Sequence, residues 1–91
     1  MQVRWAPSAA KDLQRIFRRI ERENPSAARK VIKTIYDSCV SLKDFPNRGR
    51  PGRMEGRREL TFPGLPYVAV YKVTSDAVEI SRVWHGAQDW R

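Results

Sequence analysis

Hydrophobic positions along this chain change their period from one stretch to the next, and the changes mark out its elements. Gln2 to Trp5 alternates polar and apolar, with Val3 and Trp5 on one side, which predicts a short strand. From Ser8 to Glu23 the apolar residues Leu13, Ile16, Phe17 and Ile20 fall at i, i+3, i+4 and i+7, the stripe of an amphipathic helix. Pro7 suits the first helical position, where its missing N–H would have had no partner. At Asn24-Pro25-Ser26 one helix stops and another starts, because Pro25 biases Asn24 away from helical geometry while the Asn24 side chain can cap the new N-terminus. Ala28, Val31, Ile32, Ile35, Cys39 and Leu42 form a second helical stripe up to about Asp44, with Tyr36 at its border. The tight joint makes the two helices an antiparallel hairpin.

Phe45-Pro46-Asn47 ends the helical period, and Arg48 to Gly56 (RGRPGRMEG) has none of its own. Three β-forming runs follow. Arg58 to Phe62 alternates, Pro63-Gly64-Leu65-Pro66 reverses the chain, Tyr67 to Val73 is rich in β-formers, Ser75-Asp76 makes a two-residue turn, and Ala77 to Trp84 completes the meander. The order β-α-α-β-β-β predicts an α+β fold in which the helical hairpin lies across one face of a curved, mainly antiparallel sheet. The first strand is expected at an edge, paired with one of the later strands. A chain of 91 residues has room for one core, so residues 1–91 are expected to form one domain.

Charge narrows the choice of partners. Eighteen Lys and Arg against ten Asp and Glu give a formal charge of +8 and a pI near 10.4. That excess suits nucleic acid, a nucleic-acid-bound enzyme or an acidic polypeptide, although it can also serve solubility alone. Arg48, Arg50, Arg53 and Arg57 are candidate anion-binding residues, since guanidinium groups bind phosphate bidentately and loops carry function; a mobile connector is the alternative. Lys11, Arg15, Arg18, Arg19 and Arg22 lie outside the stripe of the first helix, as an anion contact or a solvated face. One cysteine cannot form an internal disulfide, and Cys39 on a helical stripe reads as a core residue rather than a nucleophile. The N-terminus MQVRWAPSAAKDL has no apolar run for a signal peptide, and no stretch approaches the ~20 apolar residues of a membrane span, so a cytoplasmic location away from membranes is expected.

Candidate chemistry is sparse. A single histidine without a cysteine or carboxylate cluster lacks the ligands for a metal site, RGRPG lacks the spacing of a phosphate-binding glycine loop, and no cofactor is implied. His85 remains, with arginines and tyrosines around it in sequence. An imidazole can exchange protons at physiological pH, and arginines can hold a phosphodiester and stabilise developing charge, a combination suited to RNA cleavage by the 2′-hydroxyl. In a regular strand, however, Arg82 shares a face with Val78 and Ile80 whereas His85 shares one with Val83. The two converge only if a bulge or the strand end reorients one of them. A structural His85 at a strand end is the alternative, and Trp90 in the tail is expected to dock back against the sheet.

Taken in order, the joint Asn24-Pro25-Ser26-Ala27-Ala28, Phe45-Pro46 with Gly49-Arg50-Pro51, Gly56-Arg57-Arg58-Glu59-Leu60, Tyr67 to Val73, and Val78 to His85 resemble the RelE/ParE superfamily of toxins from bacterial type II toxin–antitoxin systems. The resemblance covers nearly the whole chain. It implies a growth-arresting toxin and a cognate antitoxin whose flexible segment neutralises it. For the target it implies one of two branches: ribosome-dependent cleavage of messenger RNA, or ParE-like inhibition of DNA gyrase without a known catalytic residue. His85 matches the last-strand position where ribonuclease members carry a basic catalytic residue, and Arg58, Arg82 and Tyr71 complete the set if the chain is a metal-independent endoribonuclease. Ribonuclease members usually place an arginine just before the strand that starts here at Tyr67, where this chain has Phe62-Pro63. They also often carry a tyrosine near the terminal basic residue, where this chain has Trp84 and Trp90. Phe45-Pro46 with Gly49-Arg50-Pro51 and the Arg-Arg-Glu-Leu strand are closer to the ParE, or plasmid-stabilisation, branch, which is the expectation carried forward. A basic nucleic-acid-binding module is the distant alternative.

Overall fold

A computed structural model describes residues 1–86 of the chain. Strand β1 (Gln2–Trp5) leads into helix α1 (Pro7–Glu21) and, after a short joint, helix α2 (Pro25–Val40). Pro7 and Pro25 each sit at the start of a helix, as their missing N–H favours, and the Asn24 side chain accepts the N–H of Ala27 (3.1 Å). The last turn of the second helical stripe tightens into a 3-10 turn, Ser41–Lys43, with Leu42 buried beneath it. Four further strands follow: β2 (Arg50–Pro51), β3 (Arg58–Thr61), β4 (Tyr67–Val73) and β5 (Ala77–His85). The two-residue β2 lies within the segment that has no period in sequence and pairs with β3, Arg50 opposite Glu59 and Pro51 opposite Arg58.

The sheet is mixed, in the order β1-β5-β4-β3-β2. β1 pairs in parallel with β5, Gln2 opposite Ala77 through Trp5 opposite Ile80, and every other pairing is antiparallel. The connection from β1 to β5 runs through the helical hairpin and the three strands between, long enough for a parallel pair. α1 lies against both α2 and β5. Between the layers, Ile35, Cys39 and Leu42 meet Leu60, Ala69, Tyr71, Val78, Ile80 and Val83 in one buried cluster. Cys39 is fully buried, and burial pushes its thiol pKa up to about 12. Trp5 and Tyr36 stack at 5.8 Å, which closes the β1 side of α2. Gly64, with φ +75°, allows the reversal between β3 and β4 that a side chain would resist.

One irregularity shapes β5. Val70 pairs with Arg82 but Tyr71 pairs with Ile80, so Ser81 is an extra, unpaired residue in β5. Across this bulge Val78, Ile80 and Val83 all enter the core, and His85 follows Val83 by the ordinary alternation of a strand. No helix of the described residues is long and apolar enough to cross a membrane. The expected docking of Trp90 falls outside the described residues.

Candidate functional site

Where β1 gives way to α1, the outer edge of β5 loses its strand partner. Ala6 N–H still reaches Ile80 O (2.9 Å), but beyond it two α1 side chains one turn apart take over. Ser8 Oγ donates to Ser81 O (2.8 Å), and Asp12 Oδ2 accepts the N–H of Val83 (3.0 Å). Such substitution satisfies backbone groups that an open edge would leave unpaired. Asp12 is 3% exposed. Its carboxylate also accepts from Arg82 through Nε (2.8 Å) and Nη2 (3.1 Å), and from Arg15 Nη1 (3.3 Å). The hydrogen bond to Asp12 raises the pKa of Arg82, holding its guanidinium more firmly in the charged form.

Beside this contact a groove of about 340 Å³ opens between α1 and the end of β5. Arg15, Arg19, Arg82 and His85 contribute to its walls together with Tyr67 and Trp84, and Asp12 is its one acid among the described residues. Tyr67 and His85 meet edge to face with ring centroids 5.7 Å apart. The Arg82 guanidinium lies over the Trp84 ring, 4.7 Å from its centroid. The bulge precedes both residues, so Arg82 and His85 still face opposite ways from β5; it turns Val83 and His85 to the helix side, and Arg82 reaches the same groove at the strand edge through its bonds to Asp12. Asp12 is the member that sequence reasoning missed. Its signal was available: Asp12 falls with Ala9 and Ile16 on the buried stripe of α1, where a carboxylate needs a partner.

Arg58 and Tyr71 lie elsewhere. They face each other across β3 and β4, and Tyr71 stands four residues from Tyr67, about 13 Å along the strand. Tyr71 is fully buried. Its hydroxyl donates to Pro46 O (2.8 Å) and accepts the N–H of Gly49 (2.9 Å), while Arg58 Nη1 donates to Gly49 O (2.6 Å). Burial pushes the Tyr71 phenol above its usual pKa, against the opposing hydrogen bond from Gly49. The loop approaches so closely that a Cβ on Gly49 would lie 2.6 Å from the Tyr71 hydroxyl oxygen and 2.8 Å from Glu59 O, so only glycine fits there. Arg58 and Tyr71 therefore anchor the arginine-rich loop from beneath.

The loop arginines are dispersed by their own contacts. Arg48 Nη1 donates to Ser41 Oγ (2.8 Å), and Arg50 Nη2 to the buried carboxylate of Glu59 (3.1 Å). The backbone N–H of Arg53 reaches the other Glu59 oxygen (3.2 Å), and Arg57 closes the turn through its carbonyl, which accepts from Gly52 N–H (2.8 Å). Arg48 and Arg50 share a shallow depression of about 370 Å³ with Leu60, Thr61 and Phe62. Among the described residues no group of three His, Cys, Asp or Glu side chains is placed to hold a metal ion.

Comparison with known proteins places this arrangement in a lineage. Residues 3–90 match the family described as the ParE toxin of the type II toxin–antitoxin system parDE. The Y4kP protein of Sinorhizobium fredii is 37% identical over 89 residues, covering 98% of this chain and 92% of that one. Toxin RelE2 of Caulobacter vibrioides is 33% identical over 87 residues, covering 96% and 97%. Among solved structures, the chromosomal ParDE toxin–antitoxin system of P. aeruginosa contains a chain that superposes with a TM-score of 0.87 at 28% identity, covering 93% of this chain and 95% of that one. The RelBE2 toxin–antitoxin complex of Mycobacterium tuberculosis gives 0.62 at 26%, covering 92% and 95%. With its two helices on a five-stranded mixed sheet and a family match over nearly its whole length, the chain belongs to the ParE toxin family of type II toxin–antitoxin systems.

Proposed function

We propose that this toxin arrests growth by binding DNA gyrase through its surface, without a catalytic residue of its own, and that a cognate antitoxin neutralises it. The observation that carries this reading is the separation of the four candidate catalytic residues into two pairs with different surroundings. Tyr71 has its hydroxyl engaged by Pro46 and Gly49 in the interior, and Arg58 is bonded to the same loop, so neither can reach a phosphodiester in the His85 groove. The closer likeness to the ParDE structure than to RelBE2 supports the same branch.

The antitoxin has a matching place on the helical hairpin. Leu13, Phe17 and Ile32 line an apolar groove of about 270 Å³, with Gln14 and Arg18 at its rim. An amphipathic antitoxin segment would lay apolar side chains there and carboxylates against the basic rim. Expression of the chain without antitoxin tests the target. Gyrase-linked DNA breaks before any fall in translation are expected, and immediate translation arrest with DNA replication intact would exclude gyrase.

A second reading, ribosome-dependent messenger cleavage, is favoured by one specific observation: Arg82 and His85 do share an open cationic groove. On that reading His85 exchanges the proton and Arg82 neutralises the phosphate. His85→Ala would then abolish both messenger cleavage and toxicity.

A further inference from the structure

The outer face of α1 carries a second basic surface that the His85 groove does not account for. Lys11, Gln14, Arg15, Arg18, Arg19 and Arg22 line one shallow depression of about 610 Å³, and all six are exposed. Lys11, Arg15, Arg18 and Arg22 follow at i, i+4, i+7 and i+11, a straight row about 16 Å long at the helical rise. Of the five cations only Arg15 has an acidic partner among the described residues: Asp12, which also binds Arg82. Among the described residues no carboxylate pairs with Lys11, Arg18, Arg19 or Arg22. Like charges gathered in a row repel one another; the helix dipole favours Arg18 and Arg19 in the last turn of α1, but it gives no reason for the row to extend back to Lys11.

We propose that this face of α1 docks the sugar–phosphate backbone of a nucleic acid, without reading its sequence. Two features favour phosphates over an acidic peptide. Among the described residues the depression is lined by Lys, Gln and Arg alone, with no apolar or aromatic side chain to anchor a peptide. Four of its five cations are arginines, whose planar guanidinium matches phosphate oxygens in pairs. The surface is also continuous with its neighbours. Arg15 and Arg19 line the His85 groove as well, so a strand following the row is led toward His85. Gln14 and Arg18 rim the apolar groove of the hairpin, so a segment lying there covers part of the row and competes with nucleic acid. The inference holds whichever molecule the toxin poisons.

Fluorescence anisotropy of the full chain with labelled mixed-sequence duplex DNA, single-stranded DNA and RNA, over a range of salt, tests it. Binding to at least one of the three is expected, and the tightest identifies the source of the backbone. The double variant Arg18→Glu/Arg22→Glu should bind at least about tenfold more weakly, with a log–log salt slope on duplex shallower by about 2. Arg18→Gln/Arg22→Gln should shift the slope in the same direction. Arg29→Glu/Lys30→Glu, the same charge change at exposed positions of α2, should keep the wild-type slope. An equal loss in the α2 variant would overturn the proposal in favour of net charge alone. A polyglutamate peptide that binds the wild-type chain as tightly as nucleic acid at the same salt would overturn it in favour of an acidic partner.

Discussion

Asp12 and Glu59 are the two buried carboxylates among the described residues, each 3% exposed, and they sit toward opposite edges of the sheet. Asp12 reaches from a helix to a strand edge, where it joins the Val83 N–H, Arg82 and Arg15. Glu59 stays within its own edge, joining Arg50 and the Arg53 N–H of the loop that β2 belongs to. The surroundings differ in the same way. On the Glu59 side, Tyr71 and Arg58 bind the loop from beneath and close the region with internal hydrogen bonds. On the Asp12 side the carboxylate holds the bulged strand in place while Arg15, Arg19 and His85 line an open groove. Side chains of the same types thus close one side of the sheet and line an open groove on the other, depending on whether a loop packs over them.

The comparison can be broken most forcefully at Asp12. Asp12→Ala removes the acceptor for a buried N–H and for two arginines and should cost about 3 kcal/mol in urea unfolding. Glu59→Ala should cost about 1–2 kcal/mol, because fewer donors lose their acceptor and Arg50 is well exposed. Equal losses would mean that the helix-to-strand contact is no more than another edge contact.

Alkali should act on the closed interior rather than on the groove. Cys39 has a folded pKa of about 12 against an ordinary 9.0, so above pH 9 the unfolded chain releases a proton that the folded chain keeps. Stability is therefore full below pH 9 and falls as pH rises toward 12. Tyr71, also raised, adds to the fall above its ordinary value of 10.0. Cys39→Ala should flatten the part of this slope that begins at pH 9, as followed by urea midpoints across the range. A slope unchanged in that variant would assign the loss to other groups.

Tyr71→Phe gives a smaller and sharper result. Loss of the hydroxyl leaves Pro46 O and Gly49 N–H without their partner and should cost about 1–2 kcal/mol. Growth inhibition should persist at temperatures where the variant stays folded. Loss of toxicity in a folded Tyr71→Phe protein would return Tyr71 to the reacting site.

Much of the architecture could be read from periodicity, because the stripes of α1 and α2 and the alternation of the strands are local patterns. Asn24 and Pro25 even announced the joint between the helices. The parallel pairing of β1 with β5 and its register depend on contacts more than seventy residues apart. The bulge at Ser81 was not legible for the same reason. It arises where β1 ends and α1 supplies Ser8 and Asp12 to the strand edge, and nothing in Ile80-Ser81-Arg82-Val83 alone calls for an extra residue. The site was legible in residue types but not in grouping. Arg58 and Tyr71 look equivalent to Arg82 and His85 in sequence, and only the close approach of Gly49 shows that the first pair faces a loop.

On the proposed reading this toxin acts by contact rather than by proton transfer at His85. The most direct test expresses the wild-type chain and His85→Ala without antitoxin and follows DNA breaks and messenger cleavage from the first minutes. Both proteins are expected to arrest growth, with gyrase-linked DNA breaks preceding any loss of translation. Messenger cleavage at the onset, abolished in a folded His85→Ala protein together with toxicity, would contradict it.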